Sequence, residues 1–482
     1  MKKIASIIGG GVIGAGWASR FLLMGWNVNI FDRDPDVNRK VNEILGNARR
    51  SLPGLYEEKL PEEGVLTFCS SIQCAIKDAT WIQESIPERL NLKHDVYNDI
   101  LKYADKNAII CSSTSGFKPS ELNNGAGAQN RIMVAHPFNP VYLLPLVELV
   151  LAIGTSDNIK EKAKEILFDI GMFPLLVNKE IDEHIADRLL EAVWREALWL
   201  IKDDIATTEE IDNAIRFGFG LRWAQMGLFE TYRLAGGEAG MKHFIEQFGP
   251  TLSWPWTKLM DVPELTPSLI EKISSQSDAQ SDRYTIRELE VIRDNNLVGI
   301  MRSLKLQNWG AGAHLNSIDK FLEKKEYEFD KPIETISRVV PLDWVDYNNH
   351  MNEARYLQAF GDATDRFMEI IGCDSNYISS GNSYFTAETH IRHIDEVLAG
   401  SLITIFTYCL VGEGKKLHLF HIMKNGDRYI ASGEHILIHV NLDTRRSSMP
   451  SDAILNTLRK IAKCHSNLPR PDGVGASIGN KK

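Results

Sequence analysis

Short apolar runs alternate with amphipathic stretches through the first third of the chain. Residues 3–8 and 27–31 are typical of buried strands, and residues 13–25 between them are typical of a helix. Further apolar runs lie at 65–68, 80–83, 108–112, 131–135 and 146–152. Strands that alternate with helices predict a parallel sheet with helices on both faces, an α/β Rossmann domain over residues 1–181.

From Asp182 onward the spacing of apolar residues is helical only. Thr207 and Glu210 have the spacing of a capping box, which predicts the start of another helix. The pattern continues to about residue 320 and predicts an all-α domain over residues 182–321. The apolar face of its first helix carries Ile185, Leu189, Val193 and Leu200.

A charged stretch over residues 322–332 predicts a linker, and the pattern beyond it becomes strand-like. A helix over 353–371 interrupts the strands, so residues 333–468 are predicted to form an α+β domain, followed by a flexible tail over 469–482. Turn signals at Gly412–Gly414 and Asn425-Gly426 predict hairpins. The predicted strands are 333–340, 383–391, 401–411, 415–424 and 428–440.

Size and composition limit the classes of function. A chain of 482 residues is too long for one hydrophobic core. The formal net charge of −10 argues against nucleic-acid and membrane-surface partners, which require a basic face. Six scattered cysteines without a Cys-x-x-Cys pair predict free thiols in a reducing cytoplasm. No metal site is predicted, because histidines three apart on a strand point to opposite faces.

The glycines after the first strand have the spacing of a dinucleotide-binding loop. Gly9 permits the turn, Gly11 lets a pyrophosphate approach the backbone, and Gly14 lets the helix pack close to the sheet. Asp32 ends the next strand, where a carboxylate accepts ribose hydroxyls and repels a 2′-phosphate. The cofactor is therefore predicted to be NAD. Its predicted contacts are Gly9, Gly11, Val12, Ile13, Gly14 and Asp32.

His136 lies 12 residues before Glu148, and both fall near predicted strand ends. Oxidation of a secondary alcohol by hydride transfer needs a base for the hydroxyl proton, and histidine fits because its pKa lies near neutrality. A glutamate on the far ring nitrogen would fix the tautomer. The alternative is a histidine of the core or of a turn.

The residue string around these positions resembles the 3-hydroxyacyl-CoA dehydrogenase superfamily over residues 1–320. The resemblance rests on the glycine loop, on residues 112–115, on His136-Pro-Phe-Asn-Pro and on Val147-Glu148. It implies that His136 is the base, that Glu148 orients it, and that Ser115 hydrogen-bonds the substrate oxygen.

Asp187 departs from this family, which has asparagine before Arg-Leu-Leu in the first helix of the second domain. A carboxylate cannot donate a hydrogen bond unless it is protonated. One hypothesis is that Asp187 helps to accommodate a cationic substrate, and unchanged affinity in the Asp187→Asn variant would contradict it.

The second domain narrows the substrate. Phe217–Ala224 is similar to the branch that acts on free hydroxy acids, and the string from Trp194 to Gly240 resembles L-carnitine 3-dehydrogenases. Carnitine carries a trimethylammonium group, which aromatic faces and negative charge recognise. Tyr142 and Trp223 are predicted to hold that group, and Arg222 to meet the carboxylate. Core packing is the alternative for any of the aromatic candidates. The others are Trp194, Trp199, Tyr232, Trp254 and Trp256.

Asp346, Asn348 and His350 alternate just before the helix predicted from Glu353. Asparagine-rich loops are usually turns, and Asn352 is alternatively a simple helix N-cap. A carboxylate beside a helix N-terminus can instead attack a thioester or activate water.

The segment over residues 333–445 resembles hot-dog thioesterases of the acyl-ACP and 4-hydroxybenzoyl-CoA types. The resemblance implies that Asp346 is the nucleophile or base, assisted by Asn348 and His350, and that the substrate is a short acyl-CoA. Together the two resemblances imply a homodimeric carnitine dehydrogenase fused to a thioesterase for betainyl-CoA. The alternatives are another free 3-hydroxy acid such as gulonate, and a C-terminal module that dimerises or binds acyl-CoA without catalysis.

Overall fold

The chain forms two compact units in a computed structural model that describes residues 3–126, 130–235, 240–248, 257, 264, 266–281, 283–323 and 326–476. The first unit comprises Met1–Leu52 and Pro61–Ile318, and the second comprises Pro53–Leu60 and Asp319–Lys482. Among the described residues, no helix has the length and apolar character needed to cross a bilayer.

The first unit begins with alternating strands and helices. Its strands are β1 (Ile4–Ile8), β2 (Asn27–Phe31), β3 (Leu66–Phe68), β4 (Trp81–Glu84), β5 (Ile109–Ser112), β6 (Ile132–Pro137), β7 (Leu146–Val150) and β8 (Phe173–Val177). Its helices are α1 (Val12–Leu23), α2 (Val37–Ser51), α3 (Ile72–Ala75), α4 (Leu90–Tyr103), α5 (Pro119–Ala126) and α6 (Asp157–Asp169). The sequence pattern anticipated all of these strands except β8.

These strands form one sheet in the order β3-β2-β1-β4-β5-β6-β7-β8. The predicted parallel sheet is confirmed except at one pairing, where β7 runs antiparallel to β6 and β8 then pairs parallel to β7. Residues 138–145 between them are too few for a helical crossover, so the chain returns as a hairpin. This local reversal places residues of β6 directly opposite residues of β7.

The rest of the first unit is helical, as the spacing predicted. The predicted capping box is present, with Thr207 and Glu210 bonded reciprocally. Two residues on the predicted apolar face of α7 are exposed, however: Ile185, just before the helix, and Leu189 within it. The helices are α7 (Ala186–Lys202), α8 (Thr208–Ala214), α9 (Gly220–Ala235), α10 (Gly240–Phe248), α11 (Pro267–Ser281), α12 (Ile286–Leu306) and α13 (Ala311–Leu322), with a π-helical turn at Ile215–Phe219.

The second unit is an antiparallel sheet that packs on a long helix. Its strand order is β10-β13-β12-β11-β9, with β14 beside β13, and both predicted hairpin turns are present. Its strands are β9 (Ile333–Val339), β10 (Asn382–His393), β11 (Leu402–Glu413), β12 (Lys416–Asn425), β13 (Arg428–Asn441) and β14 (Arg446–Ser447). Its helices are α14 (Glu353–Ile370), α15 (Ser375–Ser379) and α16 (Asp452–His465).

Helix α14 buries Phe360 and Phe367 against this sheet, and Leu357, which the pattern placed on the same stripe, is exposed. The sequence pattern did not predict α16, which packs on β11. The described part of the tail also contacts the sheet, because the Gly475 amide donates to Glu434 Oε2 at 2.8 Å.

Candidate active sites

The glycine loop joins β1 to α1, as its spacing predicted. Gly9 has φ +100°, and a Cβ there would lie 2.7 Å from the Ser85 carbonyl carbon. A Cβ on Gly14 would lie 1.8 Å from the Gly9 carbonyl oxygen. Only glycine satisfies both positions, so the tight turn and the close approach of α1 to the sheet depend on them.

A cavity of about 590 Å³ opens above this loop. Nothing lies within 4 Å of the position that a Cβ on Gly11 would take, which leaves room for a phosphate beside the N-terminus of α1. The Asp32 carboxylate lies in the wall, where it accepts from the Gly10 amide at 2.6 Å and from the Asp34 amide at 2.8 Å. The N-terminus of α1 and the Asp32 carboxylate fit the phosphates and the ribose of a dinucleotide. The wall also contains Gly9, Val12, Ile13, Arg33, Lys40, Ile72, Ser85, Ile86, Pro87 and Arg89.

His136 and Glu148 face each other across the β6–β7 hairpin. His136 Nδ1 lies 3.1 Å from Glu148 Oε2. Glu148 Oε1 accepts from the amides of Ile185 and Ala186 at 2.9 and 3.0 Å. Burial raises the pKa of Glu148, but the hydrogen bonds from His136 and the two amides outweigh burial and hold that pKa below its ordinary value. The pair is therefore an imidazole oriented by an ionised carboxylate.

Asp187 lies on the other side of the same imidazole. Its Oδ2 is 3.5 Å from His136 Nε2, the nitrogen that Glu148 leaves open. Burial is the main cause that raises the pKa of Asp187. His136 thus has one carboxylate near each nitrogen, an arrangement that the sequence hypothesis of a cation-binding Asp187 did not include.

A second histidine, which sequence reasoning missed, completes this cluster. The His184 side chain is fully buried, its ring centroid is 5.6 Å from that of His136, and its Nε2 lies 3.3 Å from the Thr114 carbonyl oxygen. Glu183 and His184 both have positive φ, +61° and +54°. This conformation turns the chain so that the first amides near α7 reach Glu148. No sequence motif marks the position; an unexpected pair of left-handed residues is visible only in the structure.

Two predicted residues of this first site lie at different depths. Ser115 is exposed in the loop after β5. Tyr142 is buried, and its hydroxyl donates to Asp294 Oδ2 at 2.8 Å and lies 3.1 Å from an Arg293 guanidinium nitrogen. The Tyr142 hydroxyl is therefore engaged by α12, which gives this residue a packing role in addition to the predicted contact with substrate.

Arg222 and Trp223 lie side by side on α9, and both are exposed. The Trp223 ring lies 4.6 Å from that of Phe219. Trp254 and Trp256, two of the other aromatic candidates, lie outside the described residues. Trp223 therefore has an aromatic neighbour, and among the described residues no contact connects it to His136.

The second predicted site is the loop before α14. Asp346 Oδ1 accepts from the amides of Asn348 at 2.8 Å and of His350 at 3.3 Å, and Asn349 has φ +62°. Asn348 is exposed, and His350 Nδ1 lies 3.5 Å from Glu396 Oε2. The structure therefore brings the three predicted residues into one turn that the Asp346 carboxylate organises.

Asn352 follows this loop and is the N-cap of α14. Its side chain accepts from the Ala354 amide at 3.0 Å. The helix begins within a few residues of Asp346, so the positive end of its dipole lies close to the loop. The simple capping interpretation of Asn352 is confirmed.

Comparisons with known proteins match both halves of the chain. Residues 4–181 match the 3-hydroxyacyl-CoA dehydrogenase NAD-binding domain, residues 184–266 match the C-terminal domain of the same enzymes, and residues 340–458 match the thioesterase-like superfamily. An L-carnitine dehydrogenase/betainyl-CoA thioesterase of Ruegeria pomeroyi is 62% identical over 98% of this chain and 99% of its own.

The chain belongs to this family of fused dehydrogenase–thioesterases. It therefore combines an NAD-dependent dehydrogenase with a thioesterase-like domain. An L-carnitine dehydrogenase of Mesorhizobium japonicum is 56% identical over 66% of this chain and 89% of its own. A solved NAD+-dependent 5-formyl-3-hydroxy-2-methylpyridine 4-carboxylic acid 5-dehydrogenase covers 63% of the chain and 99% of its own with a TM-score of 0.53 at 24% identity, a likeness of fold alone.

Proposed function

We propose that the dehydrogenase oxidises L-carnitine to 3-dehydrocarnitine with NAD. The observation that carries this proposal is the pair of carboxylates, Glu148 and Asp187, on either side of His136. Glu148 is fully buried, whereas Asp187 is partly exposed beside Nε2, and an acidic group at that position favours a hydroxy acid that carries a positive charge. Fused relatives named for L-carnitine support the same substrate.

In this proposal His136 takes the hydroxyl proton on Nε2, because its Nδ1 is held by Glu148. The Glu148 carboxylate stabilises the imidazolium that forms. Ser115 donates a hydrogen bond to the substrate oxygen. The loop from Gly9 to Gly14 and Asp32 would hold the pyrophosphate and ribose of NAD, which when bound would supply the acceptor for the hydride from C3.

Recognition of the two charged ends of the substrate is proposed for separate residues. Arg222 meets the carboxylate, because a guanidinium matches a carboxylate with two parallel hydrogen bonds. Trp223 and Tyr142 offer aromatic faces to the trimethylammonium group, and Asp187 offers negative charge.

A substrate screen tests this assignment. We expect NADH formation with L-carnitine and NAD, and much slower formation with gulonate, which lacks the positive charge. Turnover of gulonate without turnover of carnitine would assign the protein to another free 3-hydroxy acid. The Asp187→Asn variant is expected to lose affinity for carnitine while its weak affinity for gulonate stays within about twofold.

The thioesterase half is proposed to hydrolyse betainyl-CoA to glycine betaine and coenzyme A. Asp346 attacks the thioester carbonyl or activates water, and Asn348 and His350 assist at the start of α14. The position of Asp346 just before α14 and the fused relatives named for betainyl-CoA support this assignment. Both proposed substrates carry the same trimethylammonium group, so the two fused domains would act on chemically related compounds.

A thiol assay on betainyl-CoA, acetyl-CoA and butyryl-CoA tests this second activity. We expect the Asp346→Ala variant to lose coenzyme A release while NADH formation with carnitine is retained. The alternative is a non-catalytic module, which is favoured by the engagement of Asp346 Oδ1 with loop amides. An inert wild-type domain that still binds acyl-CoA or dimerises would support the module.

A homodimer in the cytoplasm is also proposed. The α7 and α9 helices expose large apolar side chains, among them Trp194 at 58% and Phe229 at 70%, which a second copy would cover. The edge strand β10 offers a second surface with a row of backbone groups. Six free cysteines are consistent with a reducing compartment.

The domain boundaries are proposed as an NAD-binding domain over 1–181, a helical substrate and dimerisation domain over 182–321 and a linker over 322–332. A thioesterase domain over 333–468 and a tail over 469–482 follow. The family models that cover residues 4–181 and 184–266 support the first of these boundaries. Limited proteolysis that cuts first within 322–332 would support the linker.

A further inference from the structure

We propose that Asp187 carries the hydroxyl proton of the substrate from His136 to solvent. This inference rests on the proposed oxidation of a 3-hydroxy acid at His136. It adds the step that returns the base to its neutral form, which every turnover requires.

The geometry assigns a separate neighbour to each nitrogen of the ring. Glu148 Oε2 lies 3.1 Å from Nδ1, and Asp187 Oδ2 lies 3.5 Å from Nε2. Because Nε2 is the nitrogen that receives the proton, Asp187 is the carboxylate beside the proton when it leaves. A small rotation of either side chain would bring the two atoms from 3.5 Å to hydrogen-bond length. One bridging water would equally connect them.

Access to solvent distinguishes the two carboxylates. The His136 side chain is 8% exposed and that of Glu148 is 0% exposed, whereas that of Asp187 is 19% exposed. Glu148 also accepts hydrogen bonds on both oxygens, from His136 and from the amides of Ile185 and Ala186. Of the two carboxylates next to the base, Asp187 is the one that can pass a proton outward.

The charges around Asp187 suit a transient acceptor. Burial raises its pKa most, His136 and His184 lower it, and Glu148 and Glu183 raise it, with a net rise. A carboxylate with a raised pKa is a better proton acceptor from imidazolium than an ordinary aspartate.

One turnover transfers a hydride and a proton separately. The C3–H bond breaks and its electron pair passes as hydride to NAD, while the O–H bond breaks and its proton passes to His136 Nε2. The proton then moves from Nε2 to an Asp187 oxygen and from there to water. The products are the keto acid, NADH and one proton in solution.

The test compares Asp187→Ala and the isosteric Asp187→Asn with the wild-type protein. NADH is followed by absorbance, and proton release by an indicator dye in weak buffer. With each variant saturated by the hydroxy acid, so that any loss of affinity is overcome, we expect the first equivalent of NADH within about threefold of the wild-type rate. Later turnovers should then be slowed about tenfold, with delayed proton release. Formate, a small carboxylate, is expected to restore turnover of Asp187→Ala in proportion to its concentration.

Asp182→Ala is the matched control, because Asp182 is a nearby carboxylate that is paired with Lys118 and is 79% exposed. It should show neither the delay nor the response to formate. A raised KM with unchanged kcat, or an equal loss in both phases that formate does not restore, would overturn the relay.

The experiment uses the hydroxy acid that the wild-type protein oxidises. If the wild-type protein does not oxidise L-carnitine, that result contradicts the proposed substrate and leaves the relay open. The relay is then tested by the same measurement on the hydroxy acid that the protein does oxidise.

Discussion

Glu148 uses both of its oxygens on neighbours that matter to the proposed chemistry. One oxygen holds the ring of His136, and the other accepts two amides at the start of α7. A single side chain thus ties the base on the sheet to the helix that carries Asp187. The residue has a structural and an electrostatic task at once, and the two can be separated by substitution.

Glu148→Gln separates them, because its single oxygen can still accept from the Ile185 and Ala186 amides while an uncharged NH2 group faces His136 Nδ1. We expect kcat for NADH formation to fall about 100-fold, since the imidazolium loses its counter-charge. The dissociation constant of NAD, measured by fluorescence titration, should stay within about twofold. A variant with wild-type kcat would contradict the proposed role of Glu148.

Asp32 is expected to set the choice of cofactor. Its carboxylate repels a 2′-phosphate, whereas Arg33 and Lys40 in the same cavity wall would attract one. We expect Asp32→Ser to shift the ratio of NAD to NADP affinity toward NADP by about 10- to 100-fold, an effect of roughly 1–3 kcal/mol for one close charge. Adding Arg33→Ala should reverse part of that gain, and cofactor titrations of both variants measure the shift.

The residues of the first site were predictable to different degrees. His136 and Glu148 could be paired from sequence because a proton acceptor and its orienter are chemically required together. Their register across a hairpin was missed although its signal is present, because a connection of residues 138–145 is too short for a parallel crossover. His184 carries no motif, and its importance arises from the fold, which buries it beside His136.

At the scale of elements, most helices and strands followed from apolar spacing. Helix α16 was missed although its signals are present: Ser451 caps it, and Ile454, Leu458 and Ile461 line one face. The antiparallel pairing of β7 was also missed although its signal, the short connection over residues 138–145, is present. Periodicity identified most elements and turn signals predicted two hairpins, whereas the strand order of the two sheets could not be predicted from either.

The contact between α14 and β13 depends on a glycine. A Cβ on Gly433 would lie 2.8 Å from Phe360 Cδ2, and Phe360 is fully buried. We expect Gly433→Ala to lower the free energy of unfolding by about 1–3 kcal/mol through overpacking. Gly361→Ala, within α14 itself, meets nothing within 4 Å and should raise it by about 1 kcal/mol. Urea unfolding followed by circular dichroism compares them, and equal effects would contradict the packing argument.

Buried histidines make the same sheet sensitive to acid. Burial lowers the pKa of His435 to about 4 from 6.5, and burial also lowers that of His421. Below pH 6.5 His435 binds a proton in the unfolded chain, whereas in the folded chain it binds one only below about pH 4. Stability is therefore complete above pH 6.5 and falls as pH drops through this window, by about 3 kcal/mol for His435.

His435→Gln tests this, since glutamine does not titrate. Urea midpoints measured at pH 7 and pH 5 should differ less in this variant than in the wild-type protein. His390→Gln, in the neighbouring strand, is the control and should retain the wild-type difference. A wild-type second unit with equal midpoints at both pH values would contradict the argument.

At the scale of the whole molecule, the exposed apolar side chains of the helical region predict association. We expect Trp194→Lys to raise the dimer dissociation constant at least tenfold, because a charge replaces an aromatic anchor at the interface. Ile153→Lys, at a position that is 70% exposed outside those helices, should have no effect. Light scattering after size-exclusion chromatography measures both, and a wild-type monomer would rule out the dimer.

The second unit is built from two separate stretches of chain, Pro53–Leu60 and Asp319–Lys482. Within it, Glu57 pairs with the buried Arg338, and Glu58 pairs with Arg366. A protein truncated to begin near residue 319 would therefore lack both Glu57 and Glu58. Arg338 would keep Asp362, and Arg366 would keep Glu323 and Glu369, so each arginine would lose one of its acidic partners rather than all of them. A gene that encodes the second unit alone would have to supply residues 53–60 as well to restore the two lost ion pairs.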